Sequence, residues 1–138
     1  MRVMSLDVGS RTIGVAVSDF MGLIANGAET IKRAGVEQDF SYLGKFIREN
    51  EVDTVVIGYP KNMNGTIGES AQISENFANE MRCRFPKLQV VLWDERLSTV
   101  VAEKVLIDAD VRRGKRKNVI DKLAAVVILQ NYIDSRRF

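Results

Sequence analysis

The sequence predicts an α/β fold built on a mixed five-stranded sheet, and three observations lead to this prediction. Two β-branched apolar runs, 2–8 and 12–18, are separated by only three residues, which is typical of a tight turn between antiparallel strands. Later apolar runs at 54–57 and 88–93 alternate with amphipathic segments, which favours parallel strands joined by helical crossovers. The length of 138 residues is that of one domain, so we expect a single domain over 1–138.

Each element has its own signal in the sequence. A third strand is expected within 22–33, beginning at Gly22, and helical spacing of apolar residues predicts a helix over 36–50. A second helix over 69–84 ends before Pro86, and a short helix is expected after Ser98. A basic loop at 112–117 then precedes a last helix from about 119 to 135. The order β-β-β-α-β-α-β-α-α predicts three antiparallel strands followed by parallel βα units, with helices on both faces of the sheet.

Composition excludes several classes of site. The chain has no histidine, so neither a Ser-His-Asp unit nor a histidine zinc site is possible. Its one cysteine, Cys83, cannot form an internal disulfide and is expected to be a small core or partly buried residue. No signal peptide is visible, and the longest apolar run is 124–129, so we expect a cytoplasmic protein without membrane contact. The net charge is only +2, although five positively charged residues lie within 112–117.

Four carboxylates stand out by position. Asp7 ends the first strand, Asp94 and Glu95 end the last strand, and Asp121 lies near the start of the last helix. Each has an ordinary alternative: Asp7 as a hairpin turn residue, Asp94 and Glu95 as partners of Arg96 on the surface, and Asp121 as the third residue of a capping box. Because strand side chains alternate, only one of Asp94 and Glu95 shares a face with Asp7.

Together these acids predict a metal site. Strand ends and the start of the last helix can meet at one edge of the sheet, where oxygen ligands select Mg²⁺ or Mn²⁺. Two such ions about 4 Å apart can activate water and stabilise the leaving oxygen of a phosphodiester. This chemistry needs no histidine.

At these residues the sequence closely resembles the YqgF/RuvX family of Holliday-junction-resolvase-like nucleases. The resemblance covers essentially the whole chain and rests on four motifs in order: Asp7-Val-Gly9-Ser-Arg11 with Gly14-Val-Ala16-Val-Ser18-Asp19, Gly58-Tyr-Pro60 with Asn62-Met-Asn64-Gly65-Thr66, Asp94-Glu95-Arg96-Leu97-Ser98-Thr99, and Asp121-Lys-Leu-Ala124-Ala125 with Ile128-Leu129-Gln130.

The resemblance implies a ribonuclease H-like fold and a metal-dependent nuclease that processes the 5′ end of pre-16S ribosomal RNA. It implies Asp7, Glu95 and Asp121 as catalytic and metal-binding acids, with Asp94 in reserve. Ribonuclease H-like enzymes commonly carry an acid on the fourth strand. Here that strand ends Ile57-Gly58-Tyr59, so Glu95 takes that role.

Further residues are candidates for phosphate binding, although each also suits a solvated loop. The segment after the fourth strand offers amides and small polar groups before a helix, and the basic run gives salt-dependent affinity without sequence preference. Arg11 and Arg96 lie beside candidate acids and either steady a phosphate or pair with those acids. The full set is Arg11, Lys61, Asn62, Asn64, Gly65, Thr66, Arg96, Arg112, Arg113, Lys115, Arg116 and Lys117.

Three functions compete at this point. The first is a nuclease, a hydrolase of ester bonds, acting on pre-rRNA and meeting the ribosome, with a Holliday junction resolvase on branched DNA as its alternative. The second is an actin-like ATPase, whose first phosphate loop the Asp7 motif also resembles, but whose second lobe 138 residues cannot supply. The third is a non-catalytic RNA-binding module for ribosome assembly. We expect a monomer or a weak homodimer.

Overall fold

The structure is a computed structural model. It describes residues 2–60, 68–94 and 113–136, and side chains in the last segment from residue 123 onward. The expected helix after Ser98 lies outside the described residues.

Eight elements follow one another in the predicted order. They are β1 (Arg2–Val8), β2 (Thr12–Ser18), β3 (Ala25–Lys32), α1 (Val36–Glu49), β4 (Val52–Tyr59), α2 (Glu69–Arg84), β5 (Gln89–Asp94) and α3 (Arg113–Ser135). The β-branched runs form the strands because such residues pack well on a pleated surface. Gly35 precedes α1 at φ 142°, a conformation that side-chain-bearing residues rarely adopt.

The sheet has the order β3-β2-β1-β4-β5, which confirms the predicted mixed topology. β1 and β2 are antiparallel, as are β2 and β3, since short turns join them. β1 and β4 are parallel, as are β4 and β5, and α1 and α2 supply the connections. β1 therefore lies at the centre of the sheet.

Helices cover both faces, as expected. Met4, Leu6 and Val8 of β1 pack in a large core with residues of α1 and α2. On the other face, Ala16 and Val56 pack against α3, whose contacting side chains are fully or almost fully buried. Those α3 side chains are Ala125, Ile128, Leu129, Tyr132 and Ile133. The sheet thus has an α1/α2 face and an α3 face.

Three expectations are wrong in detail. α3 begins at Arg113, so residues 113–117 are helical rather than part of a loop, because lysine and arginine are good helix formers and one glycine is tolerated. Asp121 is consequently a helix-interior residue, and the capping box that would begin at Asn118 does not exist. Cys83 is exposed near the end of α2.

β3 begins at Ala25, three residues later than the earliest expected position. Asp19 accepts hydrogen bonds from the amides of Leu23 and Ile24 at 2.8 and 3.2 Å, which holds these residues in a loop. Within the described ranges, no helix is long and apolar enough to cross a membrane.

Candidate active site

Asp7 lies near the end of β1 on the α3 face of the sheet. Its neighbours of the same parity, Val3 and Ser5, contact α3, whereas Met4, Leu6 and Val8 belong to the opposite core. Asp7 is partly buried, although the residues on either side of it are buried. The carboxylate is therefore placed at the strand end, beside a helix and within reach of solvent.

The strands next to Asp7 carry little bulk on this face. Asp7 pairs with Gly14 of β2, and Gly14 pairs with Thr30 of β3. On the other side, Ser5 pairs with Val56 and Leu6 with Ile57 of β4. Continuing this register by one residue places Gly58 beside Asp7. Both neighbouring strands therefore carry a glycine, which has no side chain, beside Asp7.

Ser5 connects β1 to α3 directly. Its hydroxyl is fully buried and donates a 2.5 Å hydrogen bond to the carbonyl of Ala125. Earlier in β1, Val3 packs against the later residues of α3, so the helix runs antiparallel to the strand.

This pairing brings Asp7 and the backbone of Asp121 to the same end of the sheet. Asp7 lies two residues beyond Ser5, about 7 Å along the strand. Asp121 lies one turn before Ala125, about 6 Å along the helix axis. The side chain of Asp121 is outside the described residues.

β5 directs alternate side chains to the two faces of the sheet. Val91 and Trp93 lie on the α3 face, where the Trp93 ring meets the Tyr132 ring edge-on at 5.6 Å. Val90 and Leu92 pack on the opposite core, so Asp94 has the parity of the α1/α2 face, away from Asp7. Glu95 lies outside the described residues.

The turn that follows Asp7 is tightly bonded. The amide of Gly9 donates to the carbonyl of Thr12 at 2.9 Å, and the amide of Arg33 donates to the carbonyl of Arg11 at 2.9 Å. The Arg33 guanidinium donates to the carbonyl of Gly9 at 3.1 Å. Arg11 is exposed on this turn, two residues beyond Gly9.

The remaining phosphate-binding candidates are only partly described. Four of them, Arg113, Lys115, Arg116 and Lys117, occupy the first five positions of α3, and their side chains are not described. The others lie outside the described residues: Lys61, Asn62, Asn64, Gly65, Thr66, Arg96 and Arg112.

Tyr59 ends β4 just before that loop. Its hydroxyl donates to Glu75 of α2 at 3.0 Å. Burial, followed by the hydrogen bond and the charge of Glu75, raises the pKa of Tyr59 above its ordinary value. Tyr59 therefore stays protonated at neutral pH and is a hydrogen-bond donor rather than a base.

The expected metal site consists of three acids, Asp7, Glu95 and Asp121. No group of three or more acids or cysteines that could hold a metal occurs among the described side chains. Of the three acids expected to bind metal, only Asp7 is among them. Its oxygen donors suit a hard divalent cation.

Sequence reasoning missed three polar groups near this site: Ser5, the pair Arg33 and Asp39, and the pair Tyr59 and Glu75. Ser5 had a signal, since it is a polar residue inside an apolar strand. Asp39 is almost fully buried, and its signal was an acid adjacent to the apolar face of α1. The Tyr59 pairing had no signal in the sequence.

The sequence matches the model of the RuvX family, described as Holliday junction resolvase, over residues 1–135. It is 53% identical over 139 residues to a protein of Halalkalibacterium halodurans, with 99% of each chain covered. It is 56% identical to a protein of Geobacillus kaustophilus, covering 99% of this chain and 100% of that one. Both relatives carry the provisional name pre-16S rRNA nuclease.

Solved structures share the fold. RuvC of T. thermophilus, in complex with a Holliday junction substrate, has a TM-score of 0.62 and 14% identity, covering 99% of this chain and 95% of that chain. The Holliday junction resolvase of fowlpox virus has a TM-score of 0.60 and 14% identity, covering 98% and 99%. At 14% identity these similarities establish only that the chain shares the fold of these resolvases, a mixed five-stranded sheet with helices on both faces.

Proposed function

Because the chain belongs to the RuvX family, we propose that it is a metal-dependent endonuclease that trims the precursor of 16S ribosomal RNA. Relatives at 53% and 56% identity share the name of such a nuclease, and they match this chain over nearly its full length. The chain is accordingly a nuclease, a hydrolase acting on ester bonds. We place it in the cytoplasm, acting on RNA that is being assembled into the ribosome.

The observation that carries the mechanism is the position of Asp7. It stands at the carboxyl end of the central strand, on the α3 face, between two strands that present glycine there. Ser5 and Ala125 bring the backbone of Asp121 to the same end of the sheet. Glu95 continues the parity of Trp93, so we propose it as the third acid in preference to Asp94.

These three acids are the proposed ligands for Mg²⁺ or Mn²⁺. A bound divalent cation supplies an activated water and stabilises negative charge on the leaving oxygen. Asp7, as part of a rigid central strand, keeps its carboxylate in place without a large loss of side-chain entropy. The adjacent glycines allow a phosphodiester to approach that carboxylate closely.

The proposed substrate contacts are basic. Arg11 is exposed two residues beyond Gly9, in the turn that leaves Asp7, where a guanidinium can bind a phosphate with two hydrogen bonds. Arg113, Lys115, Arg116 and Lys117 add positive charge at the N-terminal end of α3, where the helix dipole also favours anions. We propose that these residues hold the nucleic acid backbone independently of its sequence, together with the candidates outside the described residues.

A second substrate, the four-way DNA junction, is favoured by the family description and by the folds of RuvC and the fowlpox virus resolvase. Phosphodiesters of RNA and DNA require the same metal chemistry. Symmetric cutting of a junction requires two active sites, so a stable dimer favours DNA and a monomer or weak dimer favours RNA.

The experiment compares substrates side by side. The purified chain is incubated, with and without Mn²⁺, with a pre-16S rRNA fragment, a four-way DNA junction and ATP. We expect Mn²⁺-dependent cleavage of the RNA fragment, and loss of cleavage but not of binding in Asp7→Asn, Glu95→Gln and Asp121→Asn. Faster cleavage of the junction would assign the DNA substrate, and binding without any cleavage would leave only an RNA-binding module for ribosome assembly.

A further inference from the structure

The pair Arg33 and Asp39 is placed against the turn that leaves the proposed active site. Asp39 is in the first turn of α1, and its side chain is only 2% exposed. It accepts hydrogen bonds from the amide of Ala34 at 3.0 Å and from Nε of Arg33 at 3.3 Å. A carboxylate buried this deeply is retained only when it is paired and hydrogen-bonded.

Arg33 uses its other donors on the turn. While Nε faces Asp39, Nη1 donates to the carbonyl of Gly9 at 3.1 Å. The backbone amide of Arg33 also donates to the carbonyl of Arg11 at 2.9 Å. Arg33 therefore bonds two of the three carbonyls in the turn between β1 and β2, those of Gly9 and Arg11. The Arg33 guanidinium also lies over the Phe77 ring, with its Cζ 5.5 Å from the ring centroid.

Helix capping explains only part of this arrangement. An acid in the first turn of α1 stabilises the helix dipole and satisfies the Ala34 amide without any arginine. The bond to Gly9 has no role in capping, and it needs a rigid, planar fork that spans two acceptors at once. Lysine, a point charge on a flexible stem, cannot span them both.

We propose that Arg33, oriented by Asp39, is a positioning residue for the active site: it fixes the carbonyl of Gly9 and thereby the placement of Asp7 and Arg11. This inference rests on the proposed nuclease function. A small misplacement of a reacting group lowers the turnover rate strongly while leaving substrate binding nearly intact. The positioning role therefore predicts an effect on kcat rather than on KM.

The test compares Arg33→Lys with Arg84→Lys. Arg84 is a matched control because its side chain is 28% exposed against 22% for Arg33, it pairs with Glu37 and Glu80, and it lies over the Phe40 ring. None of its described contacts reaches the Gly9 turn. Both variants replace a guanidinium with an ammonium group, and only Arg33→Lys loses the hydrogen bond to the Gly9 carbonyl.

Two readouts are measured. Amide hydrogen exchange at Gly9 and at residue 33 is expected to become at least tenfold faster in Arg33→Lys, with Leu6 unchanged, and to stay unchanged in Arg84→Lys. In the Mn²⁺ cleavage assay, kcat is expected to fall at least tenfold in Arg33→Lys with KM altered less than twofold. Equal exchange or equal kcat in the two variants would overturn the proposal.

A conservative variant keeps the test usable if Arg33→Lys does not fold. Asp39→Asn keeps one oxygen acceptor, for the Ala34 amide, and replaces the oxygen that accepts from Arg33 with an NH2 group. Arg33 keeps its guanidinium in this variant, so we expect a smaller loss of kcat than in Arg33→Lys and intermediate exchange at Gly9. Full wild-type values in Asp39→Asn would contradict the orienting role of the carboxylate. Absence of cleavage by the wild type would refute the proposed function, and the exchange measurement would still decide the positioning of the turn.

Discussion

Replacing Ser5 by alanine is expected to lower the free energy of unfolding by about 1 kcal/mol, the net value of one intramolecular hydrogen bond. The Ser5 hydroxyl is fully buried and donates to the carbonyl of Ala125 at 2.5 Å. That carbonyl lies inside α3 and keeps its helical partner, so Ser5→Ala leaves no buried acceptor without a hydrogen bond.

Ser74 is the matched control, because it is an equally buried serine with a different environment. It is 1% exposed in α2, and no hydrogen-bond partner for its hydroxyl exists among the described residues. Ser74→Ala removes an unsatisfied buried group and introduces a better helix former. We expect it to raise the free energy of unfolding by about 1 kcal/mol, so the two variants differ by about 2 kcal/mol.

Urea unfolding followed by circular dichroism and by fluorescence of Trp93, the single tryptophan, measures both variants. The expected midpoints lie on opposite sides of the wild-type midpoint with unchanged m-values. Thermal midpoints should differ in the same sense, by roughly 4 °C for each kcal/mol. If Ser74→Ala destabilises the chain as much as Ser5→Ala, the assignment of their hydrogen bonds is wrong.

Three further predictions concern the α3 core, the β2–β3 loop and the basic run. Leu129→Ala should cost about 2–5 kcal/mol in urea unfolding, because Leu129 is fully buried between α3 and the sheet; a cost below 1 kcal/mol would contradict that packing. Hydrogen bonds from the amides of Leu23 and Ile24 lower the pKa of Asp19 below 3.8. The wild type should therefore have a higher thermal midpoint than Asp19→Ala at neutral pH. That difference should shrink as the pH falls below 3.8 through the lower folded pKa, and a constant difference would argue against the assigned cause. Neutralising the basic run should weaken RNA binding and flatten its salt dependence, whereas an unchanged slope would exclude phosphate contacts; the residues to change are Arg112, Arg113, Lys115, Arg116 and Lys117.

The strand pattern could be predicted because it depends on local chemistry. Apolar runs placed β1, β2, β4 and β5, the third strand lies within the expected range 22–33, and the patterns of 36–50 and 69–84 placed two helices. The start of α3 was missed because a run of charged residues is compatible with either a loop or a helix, and its position is decided by helix propensity within the run. The exposure of Cys83 depends on which side of α2 meets the sheet, which its weak amphipathic pattern does not specify.

The candidate site could be predicted as a set of residue types but not as a geometry. Strand alternation predicted only that one of Asp94 and Glu95 shares a face with Asp7, and the structure gives Asp94 the parity of the α1/α2 face. The bond from Ser5 to Ala125 and the bond from Arg33 to Gly9 join residues 120 and 24 positions apart. No local pattern encodes such contacts, because they depend on the packed arrangement of the elements.

The most direct test of the proposed site compares Mn²⁺-dependent cleavage rates of Asp7→Asn and Asp94→Asn under single-turnover conditions. Both changes remove one carboxylate charge from a strand end, on opposite faces of the sheet. We predict a loss of at least a hundredfold in Asp7→Asn and a rate within threefold of wild type in Asp94→Asn. Full activity in Asp7→Asn, or equal losses in both variants, would contradict a catalytic site on the α3 face.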